Sequence, residues 1–153
     1  MRLKNYITEL FTTKVDVKIT NQDRDYFTVL FDVGDYNYEF QAQVITPPDW
    51  EREVWAISFR RIDVMGMPEY ALTKDLDTKE VMTVFSGVKK SGELFLRKYK
   101  PDIFVFSAWK KEPKRIQVYK DLIKYINKWF PQYKYNPNYE GDENEVTFAW
   151  VKK

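Results

Sequence analysis

Hydrophobic positions along this chain change their period several times, and each change marks an element. Leu3, Ile7, Leu10 and Phe11 recur at helical spacing, which predicts a short amphipathic helix at the start. Val15, Val17 and Ile19 then alternate with polar residues, as in a half-buried strand, and Asn21-Gln22-Asp23 reads as a turn. Tyr26 to Val33 is rich in β-branched and aromatic residues and reads as a second strand, closed by Gly34-Asp35. Tyr36 to Thr46 predicts a third strand, with Tyr38, Phe40, Ala42 and Val44 on one face, broken by Pro47-Pro48 because proline has no N–H for a ladder. Val54 to Ile62 predicts a fourth strand with Trp55, Ile57 and Phe59 on one face. Short turns join these four strands, so an antiparallel meander is expected.

After a connection over 63–77, Val81, Val84, Phe85, Val88, Phe95 and Tyr99 return to helical spacing. Asp77 and Glu80 stand at the spacing of a capping box, and the helix is expected over 78–99. Gly87 and Gly92 each cost such a helix roughly 1 kcal/mol against alanine, so a kink or a close packing contact is expected there. Lys100-Pro101 ends it. Ile103 to Ala108 is nearly all apolar, the mark of a strand covered on both faces. Pro113 suits the first position of a second helix carrying Ile116, Tyr119, Leu122, Ile123, Ile126, Trp129 and Phe130. Tyr133 to Tyr139 and Glu145 to Val151 predict a terminal hairpin. The expected fold is α+β, a single domain over residues 1–153 with a mixed sheet: antiparallel meander, helix, buried strand, helix, terminal hairpin.

Composition narrows the chemistry. The 153 residues are 44% hydrophobic and 18% aromatic, too apolar for disorder and enough for a core without staples. The longest apolar runs are short and the first residues lack the apolar core of a signal peptide, so no membrane partner is expected. The chain contains no Cys, which points to a cytoplasm as compartment, and no His. A Ser-His-Asp triad, a histidine base and a thiolate nucleophile are therefore excluded, and zinc, haem and iron–sulfur sites lose their usual ligands. Carboxylate, lysine, tyrosine, serine and backbone chemistry remain, and oxygen-ligated Mg²⁺ stays open in principle, but no metal site and no cofactor are expected.

Charge is uneven along the chain. Residues 16–80 carry 14 acidic and 7 basic side chains, a net −7, while residues 89–134 carry 13 basic and 4 acidic, a net +9. The basic segment could meet a phosphate backbone or an acidic partner, or be the solvated face of two helices. Lys120, Lys124 and Lys128 fall at i, i+4, i+8 and form one row on the second helix, with Asp121 beside it. Trp109, Lys110 and Lys111 follow the buried strand, and aromatics among lysines can stack on single-stranded nucleic acid or anchor a protein interface. Trp50, Trp129, Tyr133, Tyr135 and Tyr139 pose the same question, with core packing as the alternative. Arg115 and Tyr119 are i, i+4 neighbours that could clamp a phosphate or carboxylate, or else be a surface arginine and a core tyrosine. Arg60-Arg61 reads as surface or ion-paired arginine. Asp102 and Glu112-Pro113-Lys114 match the letters of a metal nuclease motif, but a whole strand separates the carboxylates and Pro113 fits a helix start.

The order of elements resembles the GNAT-type acyltransferase fold. In that family the helix after the fourth strand opens on a Gly-rich loop whose N–H groups hold the pyrophosphate of acyl-coenzyme A. The matching stretch here, Leu72-Thr73-Lys74-Asp75-Leu76-Asp77-Thr78-Lys79, has no glycine and carries two aspartates, against coenzyme A binding. A tyrosine on the last helix is a general acid in some members, but without the cofactor loop that role does not pass to Tyr119. Phe106-Ser107-Ala108 followed by Arg115-Ile116-Gln117-Val118-Tyr119-Lys120-Asp121-Leu122 is similar to a strand–helix segment of many small bacteriophage proteins. That resemblance implies a viral accessory or virion-associated protein, in the host cytoplasm or the virion. The expected function is non-enzymatic binding or assembly with a host or virion protein, with Trp109, Lys110, Arg115, Tyr119, Lys120 and Lys124 as candidate binding residues. The alternatives are a divergent acyl-CoA N-acyltransferase, or a nucleic-acid binder using residues 89–134.

Overall fold

The computed structural model describes residues 15–62, 78–111, 113–139 and 141–153, without the side chains at 78, 79, 81, 114, 115 and 118. The helix expected at the N-terminus and the glycine-free segment before residue 78 lie outside the described residues, as do Asp77 and Glu112. The fold is α+β; among the described residues it has one seven-stranded, mostly antiparallel sheet and two helices. Strands β1 (Val17–Gln22), β2 (Tyr26–Val33), β3 (Tyr36–Val44) and β4 (Val54–Arg61) form the expected meander. Helix α1 (Thr78–Tyr99) leads to β5 (Ile103–Trp109), and helix α2 (Pro113–Trp129) to β6 (Tyr133–Asn136) and β7 (Glu145–Lys152). The strand order is β1-β2-β3-β4-β5-β7-β6. The last strand thus inserts between β5 and β6, and β4–β5 is the one parallel pair among the described residues.

Register follows from the turns. Val33 pairs with Tyr36 across Gly34-Asp35, and Gly34 takes φ 60°. A two-residue loop with a positive φ at its first position matches the twist of the strands, and glycine adopts it without strain. Several strand ends differ from the sequence reading; β3, for one, stops at Val44 and not at Thr46, and two others have a visible cause. Asn21 and Gln22 belong to β1 and not to a turn; the turn closes one step later, where the Asp23 amide donates to the Tyr26 carbonyl at 2.9 Å. β1 is an edge strand with a register shift between Ile19 and Asn21 and polar side chains on both faces, so no alternation betrays its end. β6 stops at Asn136, short of Tyr139, because Pro137 has no N–H and the Asn136 side chain accepts the Asn138 amide at 3.0 Å.

Both helices cover the same face of the sheet. α1 lies on β1, β2 and β3, and α2 on β5 and β6. One continuous core joins Phe27, Phe40, Trp55 and Phe95 to Phe104, Phe106, Tyr119 and Trp150. Phe95 meets Trp55 at 5.1 Å and Phe27 at 6.0 Å between ring centroids, within the range that favours aromatic pairs. A smaller cluster on the opposite face gathers Val54, Ile103, Val105 and Ala149 under Tyr139. β5 is therefore buried on both sides, as its unbroken apolar run requires. The glycines of α1 serve close packing: a Cβ at Gly87 would come within 3.0 Å of the Phe31 ring.

Candidate functional site

The sheet has an opening where its parallel pair separates. β4 and β5 are in register from Val54↔Ile103 to Ile57↔Phe106 and no further, although β4 continues to Arg61 and β5 to Trp109. Beyond that point Ser58–Arg61 stay bonded to β3, and Ser107–Trp109 to β7. Between them, among the described residues, two strand edges face each other without a ladder. In open α/β sheets a ligand crevice lies outside the carboxyl ends of the parallel strands. Here that end is split.

A side-chain wedge accompanies the split. Tyr119 is 2% exposed, and its ring lies 6.0 Å from Phe59 on β4, 5.3 Å from Phe106 on β5 and 6.3 Å from Phe148 on β7. Ladder-bonded strands stand ~4.8 Å apart. Phe59 and Phe106, one on each lip, both pack on the one Tyr119 ring across the point where the ladder stops. On the other face the lips carry Ser58 and Arg60 on one side and Ser107 and Trp109 on the other. Ser107 and Thr147 share a hydroxyl–hydroxyl bond of 2.9 Å, and Arg60 is ion-paired with Glu39 at 3.2 Å. Arg61 stacks 3.7 Å above the Tyr36 ring, so both arginines have partners within the sheet.

The candidate residues read from the sequence occupy three separate places. Trp109 and Lys110 stand at the open end of the split; Trp109 is 49% exposed, and the Lys111 ammonium lies 5.4 Å from its ring centroid. The Lys110 amide donates to the Asn144 carbonyl at 2.9 Å, tying this end of β5 to the start of β7. Lys120 and Lys124 are exposed on α2 in a row with Lys128, while Gln117 donates to the neighbouring Asp121 carboxylate at 2.9 Å. Tyr119 is in the core, and Arg115 lies on the first turn of α2 with its side chain outside the description. Trp109 and Lys110 therefore share a surface with the split, and the α2 row forms a different one.

Two pockets lie at the opposite end of the sheet, where β5 begins. One, of about 580 Å³ on the helix side, is lined by Arg97, Lys100, Lys152, Trp129 and Tyr133 among others. Both helices end beside it, and cations there offset the negative ends of the helix dipoles. Lys152 donates to the Lys100 carbonyl at 3.2 Å, which ties it to the C-terminal end of α1. Tyr133 donates to the Pro101 carbonyl at 2.6 Å; burial, assisted by Asp102, pushes its phenol up to about 12. The other pocket, on the open face, is built around Trp50 and Tyr139. Burial raises the Tyr139 phenol as well.

Sequence reasoning did not find the split or the pairing of Trp50 with Tyr139. The first depends on how far two distant strands stay in register, and no local pattern encodes that. The second had a partial signal in Pro47-Pro48-Asp49-Trp50, an indole placed on a proline turn. Among the described residues no group of three or more His, Cys, Asp or Glu is placed to hold a metal, and no helix is long and apolar enough to cross a membrane. No family model matches the chain, and the curated proteins compared with it give no match.

Proposed function

We propose that this chain is a non-enzymatic binding or assembly protein, a viral accessory or virion-associated one, which receives a protein partner at the split between β4 and β5 on a GNAT-like scaffold. The observation that carries the reading is the ladder that stops at Ile57 and Phe106 while both strands run on. Strand edges without a ladder take up extended segments through main-chain hydrogen bonds, and neighbouring side chains supply specificity. Trp109, exposed at the mouth, is one of the residue types enriched in interface anchors. The strand order and the single parallel pair support the GNAT-like scaffold, and the Phe106-Ser107-Ala108 and Arg115 to Leu122 resemblance supports the viral setting.

A crevice of this kind also suits the acyl-thioester arm of coenzyme A, which is what favours the acyltransferase as a second reading. The stretch that matches the family's pyrophosphate loop in sequence order, Lys74 to Asp77, has no glycine and carries two carboxylates. Calorimetric titration with acetyl-coenzyme A decides between the two. The expected result is no binding at physiological cofactor concentration, together with a partner captured from infected cells by the wild-type chain and lost on Trp109→Ala. Micromolar affinity for the cofactor overturns the binding-protein reading in favour of the enzyme.

A further inference from the structure

On the open face of the sheet, at the end where β4 and β5 begin, two connections build a pocket of about 550 Å³. Its floor is Ile103 and Val151, and its walls include Trp50, Tyr139, Asp49 and Glu51. Trp50 is 45% exposed yet held in place. Its amide donates to the Pro47 carbonyl at 3.1 Å, closing a turn through Pro47-Pro48, where both backbone φ angles are fixed by rings. Its indole meets the Tyr139 ring at 5.9 Å and an interplanar angle of 68°, so the two rings form a corner. Tyr139 is itself anchored on the Val54, Ile103, Val105 and Ala149 cluster. An exposed indole with its conformation set before any partner arrives is preorganised for contact.

Charge selects the occupant. Asp49 and Glu51 line the pocket. Among the described residues lining it, Arg52 is the one basic side chain, against the two carboxylates. Aromatic faces carry negative quadrupole potential and attract cations directly. Carboxylates and ring faces therefore act with one sign, against phosphate and for ammonium or guanidinium. The apolar surface also extends past the pocket: Ile45, 46% exposed, precedes the proline turn, and its amide donates to the Val54 carbonyl at 2.9 Å. A footprint larger than one small cation fits a peptide.

We propose that the Trp50–Tyr139 corner is a receptor for a lysine or arginine side chain on a basic segment of a partner protein, with Asp49 and Glu51 steering it and Ile45 flanking it. The site is distinct from the split between β4 and β5, and it stands or falls independently of it.

The test is fluorescence anisotropy with three labelled probes, a Lys/Arg–Gly peptide, a Glu–Gly peptide of the same length and a neutral oligosaccharide, at low and moderate salt. Binding of the basic peptide alone is expected, weakening as salt rises. Trp50→Ala, at an exposed position, is expected to leave thermal stability unchanged and to weaken binding roughly three- to thirty-fold, the range of one lost cation–π contact. Asp49→Asn with Glu51→Gln keeps the shape and is expected to weaken binding and flatten its salt dependence. Lys120→Glu with Lys124→Glu, on the helix side, is expected to leave binding intact. Equal binding of the acidic peptide, tighter binding of the saccharide, or binding indifferent to Trp50→Ala overturns the proposal, as does no binding of the basic peptide.

Discussion

Gly87 stands where α1 crosses Phe31, and the distance there leaves no room for a methyl group. In an exposed helix, Gly→Ala stabilises by roughly 1 kcal/mol. Here overpacking against a buried ring opposes that gain with about 1–3 kcal/mol. Gly92 is the internal control, because a Cβ there would meet the Phe130 ring at 3.3 Å, which a shift of a few tenths of an ångström relieves. Urea unfolding is expected to rank Gly87→Ala below wild type and Gly92→Ala at or above it, with more than about 1 kcal/mol between the two variants. Tyr133 supplies a second measurement. Its phenol is raised to about 12 by burial, so the folded state holds a proton that the unfolded chain releases near its ordinary value of 10.0. A group whose folded pKa is raised contributes stability that is fully present below the unfolded value and is lost as pH climbs through the folded one. Stability is therefore expected to fall between about pH 10 and 12, and Tyr133→Phe to flatten that fall while losing the bond to the Pro101 carbonyl.

At the scale of elements, β5 and α2 carry opposite expectations. β5 lies between β4 and β7, and Ile103, Phe104, Val105 and Phe106 are each buried. Their amides are expected to exchange slowly, near the rate set by global unfolding, while those beside Asp142 exchange quickly. Comparable rates would remove β5 from the interior of the sheet. The α2 row of Lys120, Lys124 and Lys128 is exposed, but Gln117 and Asp121 break its surroundings and Lys110 and Lys111 stand at the end of another element. A groove for a nucleic-acid backbone neutralises several phosphates and weakens steeply with salt. Labelled single-stranded and duplex oligonucleotides are therefore expected to bind no tighter than micromolar at moderate salt. Submicromolar, salt-sensitive binding that Lys120→Glu with Lys124→Glu reduces would make the basic segment the functional surface.

For the molecule as a whole, one core on the helix face joins residues from β2 through β7 and both helices. A core shared in that way couples the elements, and a chain of this size with one such core unfolds cooperatively. Denaturant transitions followed by tryptophan fluorescence and by far-ultraviolet circular dichroism are expected to coincide. Two separated transitions would divide the chain into more than one domain. Phe95, packed on Phe27, Phe40, Trp55 and Tyr99, is the position where truncation tests this coupling. Phe95→Ala is expected to cost about 3–5 kcal/mol and to shift both probes together.

The elements themselves were legible in the sequence, because each is specified within its own few residues. β-branched and aromatic content set β2, one-face alternation set β3 and β4, the unbroken run at Ile103–Phe106 announced a strand covered on both faces, and Pro113 and Lys100-Pro101 bounded the helices. The absence of His and Cys narrowed the chemistry before any fold was considered. Edge strands were less legible: β1 is largely exposed on both faces and β6 is only four residues long, so their ends shifted by a few residues. Three further features were decided only in three dimensions: the insertion of β7 between β5 and β6, the placing of both helices on one face, and the separation of β4 from β5 after Ile57 and Phe106. They depend on contacts beyond the reach of any local pattern, such as Phe59 with Tyr119 and Phe106 with Phe148. Local periodicity says which face of a strand is buried, but packing chooses which strand lies beside it, and the candidate sites are made of those choices.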